Sequence, residues 1–434
     1  MRRLVRILPC LVLWVGVLSV SGSAQVDITV TRTVVQRIPI AVVGLRPARL
    51  EPGGRDVAAE ARAILTDDLD FSTLFEVLPP AFLPFPPREI RLGEEDKVLP
   101  SLNQLQVQAM VAAELQERGK ELVLEGRIYN VSRGTFLGGK RYFGDVAALR
   151  SMVHRLADEV VLRLTGERGV ASTRIAYATA ERGATELYLM DYDGHNPVLI
   201  TGNRTINLSP RFSPDAKLLA YTSYRDGNPD LYVLNMDAGR RTKVSALPGL
   251  NISPAWSPDG QWLALSLSKD GGTNLFLMRP TGAGLRRITN GLGISVSPSF
   301  SPNGRQIAYT SDRGGSPQVY MMDVEGTNLR RLTFEGEYNA SPRWSPRGDQ
   351  IAFVSNRGGG GFQIYLMDPS GSGLQQMTSL GANEDPAWSP DGRHLVFTST
   401  RGGQKEIYVM HADGAGQKRL TRNAFNNFAP DWSP

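Results

Sequence analysis

Apolar and polar positions repeat at a fixed spacing through about the last 260 residues of the chain, which is typical of repeat proteins. A phrase such as SPAWSPDG is followed by an apolar stretch such as LALSL, a glycine-rich loop and a second apolar stretch such as NLFLM. The aromatic residue of the phrase recurs every 44 residues, at Phe212, Trp256, Phe300, Trp344, Trp388 and Trp432. A period of this length with four short strands per unit is typical of β-propeller blades. The pattern therefore predicts six blades.

Within each unit, the phrase that carries the aromatic residue predicts the innermost strand, and SPDG predicts a turn. The first pair of apolar stretches, which starts at Arg174, has no such phrase before it. Conversely, NFAPDWSP at the C-terminus has no apolar stretch after it. We therefore predict that this last segment forms the inner strand of the first blade. Such closure would remove the free sheet edges of an open array.

The region before the propeller has a different pattern. IPIAVVGL predicts a strand, and GRDVAAEARAILTDDL has apolar residues at helical spacing. Strands are predicted in VQAMVAAEL, ELVLEGRIYNV and TFLGGKRYF, and a second helix in VAALRSMVHRLADEVVLRLTG, with Gly166 as its stop. The predicted fold class is an N-terminal α/β domain, residues 37–168, followed by a C-terminal six-bladed β-propeller, residues 169–434, closed by the C-terminal strand.

The first 24 residues, MRRLVRILPCLVLWVGVLSVSGSA, combine a basic start, an apolar run and a small-residue site. This order predicts a secretory signal peptide that is cleaved before Gln25. A membrane anchor is the alternative, but the apolar run is short for a crossing. Cys10, the only cysteine, lies inside this segment. Residues 25–36 then predict a flexible N-terminal segment.

Composition and motifs give no support for several classes of function. The chain is 41% apolar and 21% charged, as a soluble globular protein is. Without Arg2, Arg3 and Arg6 of the signal segment the charges nearly balance, which gives no argument for nucleic acid. Neither a G-x-S-x-G nor an H-E-x-x-H motif is present, and the four histidines lack metal-ligand spacing. We expect no enzyme activity, no metal and no cofactor, and we interpret DYDGHN, a weak match to a calcium loop, as a blade turn.

The junction HRLADEVVLRLTGERGVASTRIAYAT resembles the junction between the two domains of the TolB family. The matching residues are His154, Asp158, residues 164–166, Gly169 and residues 173–177. IPIAVVGL and LFEVLPP also stand where the family has its first core strand and a turn. The propeller phrases are shared with many proteins, whereas the junction is specific. We interpret His154 and Asp158 as a surface or interdomain pair and not as a catalytic dyad.

The resemblance implies a monomeric periplasmic component of the Tol–Pal cell-envelope system, without a membrane span. It implies binding of the lipoprotein Pal by the propeller and of TolA by the N-terminus. The implied role is to support outer-membrane integrity and constriction during cell division. Other outer-membrane lipoproteins or porins are further candidate partners.

One end of the propeller is predicted to carry the Pal site. The loops that lead into the inner strands differ between blades, as recognition of an asymmetric partner requires, although they could also be ordinary loops. The predicted contact residues are Asn207, Asn251, Ile252, Ser253, Val296, Tyr338, Asn339, Glu384, Asn426 and Asn427. Substitutions at Asn251, Val296, Tyr338 and Asn426 should abolish Pal capture without changing thermal unfolding.

A basic ring is predicted on the same end. Cations recur 44 residues apart, at Arg225, Lys269, Arg313, Arg357 and Arg401, with Glu181 in the first blade. Such a ring would speed encounter with an acidic partner in a salt-dependent way. Alternatively, these long side chains close their own glycine loops.

The start of the mature chain is predicted to bind TolA as a detachable strand. QVDITVTRT alternates apolar and polar residues and is rich in β-branched side chains, which suits strand addition to another sheet. The family resemblance assigns TolA binding to Gln25, Val26, Asp27, Ile28, Thr29, Val30, Thr31, Arg32 and Thr33. The alternative is a permanent first strand of the N-terminal sheet.

The sequence is also compatible with two functions of other classes. The propeller could sense a small molecule or glycan on its axis, or it could serve as an accessory domain to a peptidase. The second alternative lacks a hydrolase domain in this sequence.

Overall fold

The computed structural model describes residues 37–45, 56–291 and 293–434. The predicted signal peptide, its cleavage site and the TolA-binding segment lie outside these residues. The described part of the chain forms the predicted α/β region and the predicted propeller.

Within residues 37–45 and 56–168, the α/β region is built on a five-stranded sheet. Its elements are β1 Ile38–Gly44, α1 Val57–Phe71, β2 Phe75–Val77, α2 Leu99–Gln104, β3 Ala109–Arg118, β4 Glu121–Asn130, β5 Thr135–Gly144 and α3 Leu149–Thr165. The strand order is β2-β1-β3-β4-β5, in which β1 pairs in parallel with β2 and β3 and the other pairs are antiparallel. The predicted strands and both predicted helices are confirmed.

Both faces of this sheet are covered. The apolar stripes of α1 and α3, including Leu65 and Leu156, pack on one face with Ile40 of β1. On the other face, the segment between β2 and β3 buries Leu99 and Leu102 against the sheet. Helix α3 ends at Gly166, whose φ of 77° is the left-handed cap that glycine adopts without strain.

The propeller has six four-stranded blades. Blade 1 contains β6 Arg174–Glu181, β7 Ala184–Asp191 and β8 Val198–Leu199. Blades 2 to 4 contain β9 Asn207–Phe212, β10 Leu218–Ser223, β11 Asp230–Asn235, β12 Arg241–Ser245, β13 Asn251–Trp256, β14 Leu263–Leu267, β15 Asn274–Met278, β16 Arg286–Arg287, β17 Ser295–Phe300, β18 Gln306–Ser311, β19 Gln318–Asp323 and β20 Arg330–Arg331. Blades 5 and 6 contain β21 Asn339–Trp344, β22 Ile351–Ser355, β23 Gln363–Met367, β24 Gln375–Gln376, β25 Asn383–Trp388, β26 His394–Ser399, β27 Glu406–His411 and β28 Lys418–Arg419.

The C-terminal strand completes blade 1, as predicted. This strand, β29 Asn426–Trp432, pairs antiparallel with β6, so that Asn427 lies opposite Thr179 and Trp432 opposite Ile175. The sheet order β29-β6-β7-β8 places the last strand of the chain on the inside of the first blade. The ring is therefore closed by hydrogen bonds between residues that are far apart in sequence.

Every inner strand contains the same irregularity. The residue before the first proline of each phrase has a positive φ of 51 to 54°, at Ser209, Ser253, Ser297, Ser341, Asp385 and Ala429. The pairing register shifts at this point in each blade, as at a β-bulge. The bulge bends each inner strand at the same level of the ring.

The α/β region and the propeller share one core. Trp432 and Tyr192 of blade 1 belong to the same buried cluster as Leu156 of α3. Phe71 at the end of α1 stacks on His394 of blade 6, with ring centroids 4.0 Å apart, and its carbonyl lies 2.8 Å from His394 Nε2. The junction between the two regions is therefore packed and hydrogen-bonded.

Candidate functional site

The strand pairing defines the two ends of the ring. Asn207 at the start of β9 lies opposite Ser223 at the end of β10, and Asn251 lies opposite Leu267 in the same way in the next blade. The starts of the inner strands therefore share one end of the ring with the loops that follow the second strands. We call this end the rim; the SPDG-type turns lie at the other end.

Four of the predicted contact residues are not available at the rim. Asn207, Asn251 and Asn427 have no exposed surface, and Asn339 is 1% exposed. The Asn251 amide donates to the carbonyl of Leu247 at 2.7 Å and its oxygen accepts from Ser245 Oγ at 2.6 Å. The prediction that these four asparagines contact a partner is wrong, because their amides hold the chain that leads into each inner strand. A substitution at Asn251 would also destabilise the fold, contrary to our expectation.

The other predicted rim residues keep accessible surface. Tyr338 is 38% exposed and its ring contacts Phe362 edge-on, with centroids 5.1 Å apart. Asn426 is exposed, and its side chain accepts from the Lys405 backbone at 3.0 Å. Half-buried positions are Ile252, Ser253, Val296 and Glu384. Ser253 is a bulge residue, so it lies inside the strand and not at its start.

Sequence reasoning missed the most apolar part of the rim. Ile206 is 40% exposed and Ile294 is 49% exposed, and both occupy the position of Tyr338 in their own blades, three repeats and one repeat before it. Phe334 and Leu380, in the chain that enters the inner strands of blades 5 and 6, are 73% and 66% exposed. The spacing from Tyr338 could have identified the two isoleucines. The exposure of Phe334 and Leu380 has no signal in the repeat.

The basic ring lies at the rim, but its members differ in how free they are. Lys269 pairs with Asp270 at 2.7 Å, and Arg357 pairs with Glu335. Arg401 lies over the Tyr408 ring at 4.6 Å and donates to Asn383 at 3.0 Å. Arg225 and Arg313 are exposed and form no ion pair with any residue that the structure describes. At Arg401 the contacts favour the structural alternative. Arg313 also lies over a ring, that of Tyr320 at 5.8 Å, and donates to the Asn290 carbonyl at 3.4 Å, but Arg225 and Arg313 are both exposed and can act on a partner.

A buried polar cluster joins the two regions at His154. Its Nδ1 lies 2.8 Å from a carboxylate oxygen of Asp68 in α1, and Tyr192 of the propeller donates to the other oxygen at 2.6 Å. Nε2 of His154 lies 3.8 Å from Asp193, to which Arg150 donates. His154 is 2% exposed, so it is not a surface residue.

Burial and neighbouring charges shift the pKa values of His154 and Asp68. Burial alone would lower the pKa of His154, but its hydrogen bond to Asp68 and the charges of Asp68 and Asp193 raise the pKa above its ordinary value. Burial also raises the pKa of Asp68. One ring nitrogen of His154 and the carboxylates of Asp191 and Asp193 lie within 4.8 Å of one another, a spacing that could hold a metal ion. Arg150 already supplies a cation to Asp193.

Asp158 has a separate role from His154. Its carboxylate accepts from the backbone N–H groups of Ala171 at 2.8 Å and Ser172 at 2.9 Å. A Cβ at Gly169 would lie 2.2 Å from the Asp158 oxygen, so the junction needs glycine there. The two residues therefore do not form a pair with each other; both hold the interdomain junction.

The helices of the described residues are all too short or too polar to cross a membrane.

Comparison with known proteins matches both regions to named families. Residues 161–434 match the TolB beta propeller domain, and residues 26–137 match the TolB amino-terminal domain. A Tol-Pal system protein TolB of Geobacter sulfurreducens is 43% identical over 171 residues, which are 38% of this chain and 39% of the relative. One from Syntrophotalea carbinolica is 38% identical over 218 residues, 50% of this chain and 49% of the relative. The matched segments thus span half or less of these relatives.

Among solved structures, TolB from Acinetobacter baumannii is similar over nearly the whole chain. It is 26% identical, with a TM-score of 0.77, and the match covers 92% of this chain and 97% of that one. The α/β region and the propeller therefore occur together, in the same arrangement, in both proteins.

Proposed function

The chain belongs to the TolB family, and from that premise we propose that it serves a Tol–Pal system by binding the lipoprotein Pal at the rim of its propeller. The observation that carries this proposal is the group of exposed apolar side chains at the rim, formed by Ile206, Ile294, Phe334, Tyr338 and Leu380. Exposed apolar groups of this kind on one surface are typical of protein interaction sites.

The rim is also suited to recognition by its rigidity. The buried asparagines fix the chain just below it, so that little conformational entropy is lost when a partner binds. Tyr338 can supply a large contact area at its place on this fixed frame, and tyrosine is frequent among residues that dominate binding energy.

We further propose that residues 25–33 bind TolA by strand addition. Support comes from the alternating pattern of this segment and from the family, since the segment lies outside the described residues. The remaining parts of the proposal are export to the periplasm by the cleaved signal peptide, a non-catalytic and monomeric role, and support of outer-membrane integrity and constriction during cell division. Other outer-membrane lipoproteins or porins remain candidate partners.

The rim assignment can be tested with Tyr338→Arg and Ile294→Arg. Each should weaken capture of soluble Pal by at least about tenfold, because a truncated or clashing hot-spot contact costs about 2 kcal/mol or more. Thermal unfolding should stay unchanged, since both side chains are exposed. Leu329→Arg is the matched control: Leu329 is 42% exposed but lies beside the outer strand β20, away from the rim. Undiminished capture by both rim variants would contradict the assignment.

The proposal that residues 25–33 bind TolA can be tested by deleting these residues. The shortened protein should fold and still capture Pal, but it should lose TolA. If the deletion prevents folding, the segment is a permanent strand and the TolA assignment fails.

A further inference from the structure

A cavity of about 260 Å³ lies on the propeller axis, at the end opposite the rim. The aromatic residues of all six inner strands line it, namely Phe212, Trp256, Phe300, Trp344, Trp388 and Trp432. The indole N–H groups of Trp256 and Trp388 donate to backbone carbonyls of neighbouring blades at 3.0 and 2.9 Å. These tryptophans therefore satisfy their polar atoms elsewhere and present apolar surface to the cavity.

The wall also contains polar residues, namely two arginines, Asp431 and three serines. Arg211 lies opposite Ala220 in blade 2, and Arg343 lies opposite Ala352 in blade 5, so they occupy the same position three blades apart. In a ring of six blades, these positions face each other across the axis. Both arginines line the cavity.

The two arginines differ in their partners. Arg211 lies 3.6 Å from the carboxylate of Asp431 and also donates to the carbonyl of Pro210 at 2.6 Å. The guanidinium of Arg343 forms no ion pair or hydrogen bond with the residues that the structure describes, and its Nε is buried. Among the residues with described coordinates, Arg211 thus has a counter-ion and Arg343 has none.

Arg343 is half-buried, so its terminal nitrogens stay accessible to a ligand while its Nε is removed from water without a partner. A carboxylate suits such a guanidinium because it accepts two parallel hydrogen bonds from the fork. We propose that the axial cavity binds a small organic carboxylate, with its charged group on Arg343 and its apolar part against the tryptophans and prolines of the wall. The cavity is small, so the ligand has one ring or a short chain.

The ligand can reach this site without crossing the rim. A larger cleft of about 890 Å³ lies beside the end of α3, and it shares Pro390 and Pro434 with the axial cavity. The proposed site is therefore separate from the surface assigned to Pal, and it does not depend on that assignment.

The test is a titration with benzoate, followed by tryptophan fluorescence, because Trp344 and Trp388 belong to the cavity wall. We expect a saturable change for the parent protein, and an affinity at least about tenfold lower for Arg343→Gln, which loses the bidentate contact. Arg343→Lys should fall between the two. Arg305→Gln is the matched control, since Arg305 is an exposed arginine of an SPNG turn that does not line the cavity.

Two further measurements make the test decisive. Without ligand, Arg343→Gln should unfold at no lower temperature than the parent, because no contact of this guanidinium is lost; a clear loss of stability would show a structural role and overturn the proposal. Inorganic phosphate should bind more weakly than benzoate, since it gains nothing from the apolar wall. Equal binding of phosphate, equal benzoate affinity of Arg343→Gln, or a non-saturable signal would each overturn it.

Discussion

Replacing Asp431 by asparagine should stabilise the propeller in a pH-dependent way. Asp431 lies on inner strand β29, where its Oδ2 accepts from the Phe212 backbone at 2.8 Å and only 15% of its side chain is exposed. Burial raises the pKa of this carboxyl from 3.8 to about 6, although Arg211 and the hydrogen bond from Phe212 oppose the rise. The folded protein therefore holds this proton more tightly than the unfolded chain does.

The sign and size of the effect follow from this pKa difference. Below pH 3.8 the carboxyl is protonated in both states and costs nothing. As the pH rises from there to about 6, the unfolded chain releases the proton first, so stability falls, and above that range the loss is complete. A difference of about two pKa units corresponds to about 3 kcal/mol. An asparagine at this position does not ionise, so the variant would carry no such cost.

Urea unfolding followed by tryptophan fluorescence measures this difference. The gain in unfolding free energy of Asp431→Asn over the parent should be small near pH 4 and should grow by about 2 kcal/mol towards pH 8. Asp349→Asn is the matched control for the loss of a carboxylate, because Asp349 is exposed in a blade turn. A gain for Asp431→Asn that is the same at all pH values would show that the folded protein does not raise the pKa of this carboxyl.

Three further predictions concern the interdomain cluster, the ring closure and the rim charges. His154→Gln should flatten the pH dependence of thermal unfolding. The raised pKa of His154 gives stability that is present below pH 6.5 and is lost as the pH rises through the pKa of the folded state. Parallel calorimetric curves for variant and parent would contradict this prediction. Trp432→Ala should cost about 3 to 5 kcal/mol in urea unfolding, since Trp432 is 5% exposed and donates to Thr173 at 2.7 Å, whereas Trp262→Ala, at a half-buried position, should cost less. The double variant Arg225→Gln/Arg313→Gln should slow Pal association at low salt more than at high salt. Lys269→Gln should change the rate little, because the Lys269 amine already pairs with Asp270. A salt-independent association rate for the parent would show that the basic ring only supports its loops.

The repeat made the propeller predictable. Its 44-residue period fixes the strand order within each blade, and the missing phrase before Arg174 predicts the closure by β29. Local patterns also predicted α1, α3 and the sheet strands, because amphipathic spacing reports directly on which face is buried.

Contacts across the chain could not be predicted in the same way. Helical spacing suggested Asp158 as the neighbour of His154, but the hydrogen-bond partner of His154 is Asp68, 86 residues away in sequence. Similarly, the varied loops around Asn251 suggested a recognition residue, although asparagine recurs at this position in five of the six blades, at Asn207, Asn251, Asn339, Asn383 and Asn427, and all five are buried. Arg211 pairs with Asp431 because the ring is closed, whereas Arg343 has no ion-pair partner among the described residues. No local sequence pattern predicts this difference.

Hydrogen exchange with and without soluble Pal shows directly whether the rim is the Pal-binding surface. Pal should slow amide exchange in the rim segments around residues 334–341 and 424–428, which contain Tyr338 and Asn426. We expect no change in the turns at the other end of the ring, such as residues 257–260 and 389–392. Protection confined to those turns, or no protection at the rim under saturating Pal, would contradict the claim that the rim is the Pal-binding surface.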